Sequence, residues 1–291
     1  MSSHSKVFIY HWYNDRPGHL WQPHVPLLFS IACLRHFCTD PVIVIDLSRH
    51  HNRWENYPVL LDFKVVAMAS HLETTLEREN FFEKRGGIPF HHRMCSKPWD
   101  IQRAALHTPQ DQVVFCDADL FWIQPPEPFY GDWNYFNCSG NTGLFYYRQS
   151  SPTAHNVLDR WQAFTSLAYT DQRYAERLMQ EASAVYLSDH LHDEILYNAM
   201  TANNPAGTCQ IDAGENLSVG VTDGCLNWQE FPTRKIKALH LRDRTVDGKS
   251  KMSYALRILE INRVLRQGVF RNVAEAVKPD LALEQTLRPF V

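Results

Sequence analysis

The sequence predicts an α/β protein with a mostly parallel sheet and helices on both faces. Short runs that are apolar on both faces recur through the first half of the chain, and segments of helix length separate them. A strand that is apolar on both faces is covered on both, and consecutive parallel strands need a crossover of a dozen or more residues.

The elements follow in order. Lys6 to Tyr10 (KVFIY) is a strand, Pro26 to Phe37 a helix, Pro41 to Leu47 (PVIVIDL) a buried strand and Phe63 to Ala69 (FKVVAMA) another. Pro98 to His107 has helical periodicity, with proline in the first turn, where its missing N–H costs nothing. Gln112 to Cys116 (QVVFC) is a short apolar strand that ends in charge. Thr142 to Tyr147 is a further strand. In the amphipathic helix after it Val157, Leu158, Trp161, Phe164 and Ala168 recur at helical spacing. A helix from about Leu191 to Met200 and short strand-like pieces up to Leu241 come next, and from Ser253 the composition shifts to one or two terminal helices.

The chain has 291 residues, a net charge of −3, 44% hydrophobic and 21% charged residues. These values exclude disordered, collagenous and coiled-coil classes and argue against a broad nucleic-acid surface, although Arg234, Lys235, Lys237, Arg242 and Arg244 form a local basic strip. The 15 His, 8 Trp, 12 Tyr and 16 Phe suit sugars, nucleobases or metals, and equally a dense core. Seven cysteines without a short repeated spacing predict reduced, buried thiols in an intracellular setting. The start MSSHSKVFIYHWYND has no apolar signal region, and the longest nearly apolar run, Val25 to Leu34, falls far short of the ~20 residues that span a bilayer. The expectation is a cytoplasmic protein without a transmembrane segment, with a peripheral membrane contact through the C-terminal tail left open.

The segment VVFCDADLFWIQP (Val113 to Pro125) carries the most chemistry. A strand that delivers Asp117 and Asp119 two residues apart points both carboxylates to one side, with the Ala118 side chain turned away. Two carboxylates so close repel unless a cation neutralises them, and oxygen ligands favour Mg²⁺ or Mn²⁺. The competing reading is a turn in which the aspartates cap backbone N–H groups. The histidine groups His50-His51, His91-His92-x-x-Cys95 and His190-x-His192 lack a complete zinc set at recognised spacing.

The D-x-D strand and the segments after it resemble the metal-dependent glycosyltransferases of the GT-A fold, closest in motif order to the glycogenin-like and plant-type nucleotide-sugar transferases. NTGLFYYR (Asn141 to Arg148) looks like the N-x-G strand of retaining members, and DEILYN (Asp193 to Asn198) like their D-Q-x-x-x-N helix start, with Glu194 in place of the usual Gln. KIKALHL with His240, followed by Gly248, Lys249 and Lys251, is similar to the late His-to-Gly-Lys segment, though longer and without Pro-Trp after the lysine.

The resemblance implies a GT-A-like domain over residues 1–250 and a helical extension over 251–291. It implies transfer of a sugar from a nucleoside diphosphate-sugar, UDP-sugar favoured, to a glycan, protein or other hydroxyl acceptor, with Mn²⁺ or Mg²⁺ and retention of anomeric configuration. Asp117, Asp119 and His240 are the implied metal ligands. Tyr10, His11, Trp12, Lys97, Asp117, Ala118, Asn141, Gly143 and Lys251 are the implied donor-binding set. Tyr10 to Tyr13 would cover the base and ribose, with core packing the alternative for Tyr10. Lys97 would place an ammonium near the diphosphate, and Arg103 is the neighbour that could replace it. Glu194 is the candidate nucleophile and Asp193 the residue that orients sugar hydroxyls. Competing classes are a D-x-D phosphatase, which wants the motif on the first strand, and a non-catalytic sugar- or nucleotide-binding protein on the same scaffold.

Overall fold

A computed structural model of the chain describes residues 6–12, 24–35, 37–46, 63–67, 94–118, 120–122, 125–126, 129, 131–136, 142–186, 192–201, 208–211, 218–221 and 236–240. Strand β1 (Lys6–Trp12) is followed by helix α1 (His24–Arg35) and strands β2 (Val42–Asp46) and β3 (Phe63–Ala67). Helix α2 (Lys97–Ala105) leads into β4 (Gln112–Asp117) and β5 (Leu120–Trp122), and then β6 (Trp133–Phe136) and β7 (Leu144–Arg148). Helices α3 (Pro152–Thr170), α4 (Gln172–Tyr186) and α5 (Asp193–Thr201) precede β8 (Thr208–Ile211), β9 (Ser218–Val221) and β10 (Ile236–His240).

Seven strands form one sheet in the order β3-β2-β1-β4-β7-β6-β8. β7 runs antiparallel to both neighbours, and all other pairings are parallel. The expected α/β class with a mostly parallel sheet is therefore the observed one. From β1 the chain winds outward through β2 and β3 and then returns to place β4 on the other side of β1, so the winding reverses between β1 and β4. In sheets of this kind ligands sit outside the strand ends at that reversal.

Alternation along the strands sorts the core into two layers. Val7 and Ile9, Ile43 and Ile45, Val113 and Phe115, and Phe145 and Tyr147 face one side, where they pack on Ile101 and Ala104 of α2, Val157, Leu158 and Trp161 of α3, and Tyr197 and Met200 of α5. Each such side chain, wholly buried, contributes about 1.5–3 kcal/mol relative to exposure. On the other side Ser30 of α1 donates to the Tyr10 hydroxyl at 3.3 Å, and Phe8 meets Trp122 edge to face at 6.3 Å. Ser30 also donates to the Leu120 carbonyl, which ties β5 to α1.

Three elements were not foreseen. β5 joins β10 and β9 in a second, three-stranded sheet. β6 starts just after Gly131, whose φ of 72° permits the reversal. Helix α4 begins at Asp171, whose extended backbone stops α3 and whose Oδ1 accepts from the amides of Arg173 and Tyr174 at 2.9 and 3.1 Å. Tyr174, Ala175, Leu178 and Met179 after that cap carry the helical period from which α4 is legible. The expected terminal helices and the boundary at residue 250 lie outside the described residues. No helix among the described residues is long and apolar enough to cross a membrane.

Candidate active site

β4 carries Val113, Phe115 and Asp117 on the face covered by α2, α3 and α5, so the last of them points its carboxylate to where α2 and α5 begin. Lys97, the first residue of α2, meets it there, with Nζ 3.1 Å from Asp117 Oδ1. The same ammonium lies 2.6 Å from Oδ2 of Asp193, the first residue of α5. Thr142, just before β7, completes the group: its Oγ1 is 3.2 Å from Lys97 Nζ and donates to Asp193 Oδ2. The Lys97 stem passes over Phe115, with Nζ 4.9 Å from the ring centre.

Lys97 is wholly buried and Asp193 nearly so, 6% exposed. Burial alone would lower the Lys97 ammonium, but attraction to Asp117 and Asp193 and their hydrogen bonds raise it far above the ordinary lysine value. Burial alone would raise the Asp193 carboxyl. The Lys97 charge, His192 and hydrogen bonds from Lys97 and Thr142 overcome this and hold it well below the usual carboxylate range. The helix dipole at the start of α5 acts in the same direction. Lys97 and Asp193 are thus both ionised at neutral pH.

Of the expected donor and catalytic residues, Lys97, Asp117, Gly143 and Asp193 converge here. The Gly143 carbonyl accepts from the Asp117 amide at 2.8 Å, extending the β4–β7 pairing to the residue before the strand. Glu194 follows Asp193 on α5 and is half-buried. Ala118 forms the turn after β4. Trp12 ends β1 in register with Asp46 of β2. His240 ends β10 opposite Leu120, the residue after Asp119. Asp119, Asn141 and Lys251 lie outside the described residues.

Three expectations change. Tyr10 is wholly buried against Ser30, because even-numbered residues of β1 face α1, so it is a core residue with no surface for a base. His11 is also buried, beside Asp100 of α2. Lys97 is tied between two carboxylates, and Arg103 is exposed on the last turn of α2. Thr142 was missed as a site residue; its position beside the Asn-x-Gly pattern was the available signal. Burial raises the thiols of Cys33, Cys95 and Cys116, and that of Cys38 to about 11, so none of these four described cysteines, all free, is a thiolate nucleophile at neutral pH.

No family model matches the chain, and no curated protein matches it by sequence. Among solved structures it is similar to the galactosyltransferase LgtC in complex with donor and acceptor sugar analogs, at 9% identity over 88% of this chain and 94% of that one, with a TM-score of 0.44. It is also similar to mouse xyloside xylosyltransferase 1 in its apo form, at 10% identity over 81% and 97%, with a TM-score of 0.44. A glycosyltransferase involved in glycosylation of the major capsid of PBCV-1 aligns at 13% identity over 84% and 97%, with a TM-score of 0.38.

Proposed function

We propose that the chain is a GT-A-type glycosyltransferase that takes a nucleoside diphosphate-sugar donor with a divalent cation and transfers the sugar with retention. The observation that carries this reading is the meeting of Asp117, Lys97, Thr142 and Asp193 at the end of β4, beside the reversal of winding between β1 and β4.

The residues suit a divalent cation. Asp117 ends β4, and the β5–β10 pairing sets His240 opposite Leu120, a register that supports His240 as a ligand beside the D-x-D. Carboxylate oxygens suit Mn²⁺ or Mg²⁺. Such a cation, when bound, supplies neutralising charge to a leaving diphosphate. The protein's own residues do the rest. Lys97 keeps Asp193 ionised and orients both Asp117 and Asp193. Asp193, held as a carboxylate, accepts hydrogen bonds from sugar hydroxyls and fixes the ring. Glu194, next on the same helix, would offer the carboxylate for a covalent intermediate, in which its oxygen displaces the diphosphate; the acceptor hydroxyl then displaces Glu194 from the opposite side and gives its proton to the departed diphosphate. A phosphatase of D-x-D type would carry the motif on its first strand; here it ends β4.

Isothermal titration with UDP- and GDP-sugars, with and without Mn²⁺, tests the reading. Binding of one donor that requires Mn²⁺, followed by its slow hydrolysis, is expected. The absence of any metal-dependent nucleotide binding overturns it.

A further inference from the structure

His11 stands out among the buried polar residues because nothing in the proposed chemistry uses it. It is 3% exposed, and among the described residues neither ring nitrogen has a hydrogen-bond partner. Its Nε2 lies 3.5 Å from Asp100 Oδ2, the separation of an ion pair. Asp100 is wholly buried too; its Oδ2 accepts from Ser96 Oγ, and its Oδ1 is without a hydrogen bond among the described residues. A buried polar atom left unpaired costs about 1–3 kcal/mol.

The placement of these two residues suggests what they do. His11 and Asp117 are register partners at the ends of β1 and β4, so they stand side by side at the edge of the sheet. Helix α2 packs on β1 and β2, and its residues Lys97 and Asp100, three apart, share one face. One turn of helix therefore sends Lys97 to Asp117 and Asp100 to His11. Ser96, the N-cap, makes no side-chain cap hydrogen bond and turns its hydroxyl to Asp100. The contact of Asp100 with His11 ties the same turn to β1 beside Asp117, in addition to the ion pairs that Lys97 makes itself.

We propose that His11 is a positioning residue, which through Asp100 fixes the first turn of α2 and with it the Lys97 ammonium between Asp117 and Asp193. The consequence for catalysis rests on the reading of that cluster as the donor site. A lysine serving two carboxylates at 3.1 and 2.6 Å tolerates little displacement, since about 1 Å of misplacement can cost on the order of 100-fold in rate.

The test uses the full chain with His11→Phe, His11→Gln and Asp100→Asn, and two measurements. Amide hydrogen exchange of Trp99 and Asp100, whose N–H groups donate to the Ser96 carbonyl at 3.0 and 3.1 Å, reports on the turn, with the amides of α3 as the internal reference. Donor hydrolysis reports kcat and KM. In His11→Phe the α2 amides exchange about tenfold faster while those of α3 are unchanged, and kcat falls about tenfold with donor KM within about twofold. His11→Gln, which keeps an N–H toward Asp100, restores most of both. Wild-type exchange and kcat in His11→Phe overturn the proposal, and so does a Gln variant as impaired as Phe. If His11→Phe does not fold, Asp100→Asn, nearly unchanged in shape, is read by the same criteria. If the unaltered chain turns over no nucleotide-sugar, the functional reading fails, and the exchange comparison still decides the role of His11.

Discussion

Lys97 Nζ stands 2.6 Å from Asp193 Oδ2, so the starts of two helices far apart in the chain are joined by one buried charge pair. Removing one partner of such a pair leaves an uncompensated buried charge, a change that typically costs about 3–5 kcal/mol. Lys97→Met is therefore expected to destabilise the protein by about that amount at pH 7, read from urea unfolding. A loss below about 1 kcal/mol would show that the carboxylates find other partners. Lys97→Arg keeps the charge but not the shape, and it should recover part of the stability.

The same pair sets a pH dependence. Because the folded-state Asp193 carboxyl lies below its unfolded value, its stabilisation is present above the ordinary carboxylate range and is lost as pH falls toward the folded value. Lys97 is raised, so its contribution is complete below the ordinary lysine range and is lost only as pH climbs beyond it. Unfolding free energy should thus hold between about pH 5 and 9 as far as this cluster is concerned, and fall below about pH 4. In Lys97→Met the attraction that lowers Asp193 is gone and burial raises its carboxyl, so acid should destabilise that variant less than the unaltered chain. An unchanged acid response in the variant would contradict the coupling.

Much of this cluster was legible from residue patterns. Asp117 could be placed at a strand end because the short apolar run VVFC stops in charge, and Asp193 at a helix start because DEILYN resembles a known helix-start motif. What could not be read was the partner of each group. The ammonium of Lys97 reaches Asp193 only because α2 and α5 cover the same face of the sheet, a fact of three-dimensional packing with no local signature. Tyr10 shows the same limit from the other side. Its neighbours His11 and Trp12 look like a ligand-facing turn, but β1 continues through Trp12, and alternation then turns Tyr10 toward α1.

Tyr10→Phe tests that assignment. The substitution removes the hydroxyl that accepts from Ser30 and keeps the ring, so a loss of about 1 kcal/mol in stability is expected, with nucleotide affinity unchanged in titration. A large loss of nucleotide affinity in a folded Tyr10→Phe protein would return Tyr10 to the donor site.

Thr142 makes a sharper test of the site than of the fold. Its hydroxyl donates to Asp193 and lies beside Lys97, so Thr142→Val, close in volume, leaves a buried carboxylate one hydrogen bond short. Hydrogen bonds to charged groups contribute about 1.5–3 kcal/mol, and a loss of that order in urea unfolding is expected. Thr142→Ser keeps the donor and should lie within about 1 kcal/mol of the unaltered chain. Equal losses in Val and Ser would assign the effect to packing instead.

The register of β10 gives the last test. His240 sits opposite Leu120, one residue beyond Asp119 in sequence, and the proposed cation site takes both Asp119 and His240 as ligands. Ligand binding stabilises a folded protein by RT ln(1 + [L]/Kd), about 2.7 kcal/mol at a hundred times Kd, which for a chain of this size is several degrees in Tm. Addition of Mn²⁺ and UDP together should raise the Tm of the unaltered chain by that much, and each alone by less. In His240→Ala and in Asp119→Ala the joint rise should largely vanish. Leu120→Ile, which alters the facing residue without touching a ligand, should keep it. If His240→Ala retains the full rise while Asp119→Ala loses it, the cation is held without the histidine, and the pairing of β5 with β10 serves packing alone.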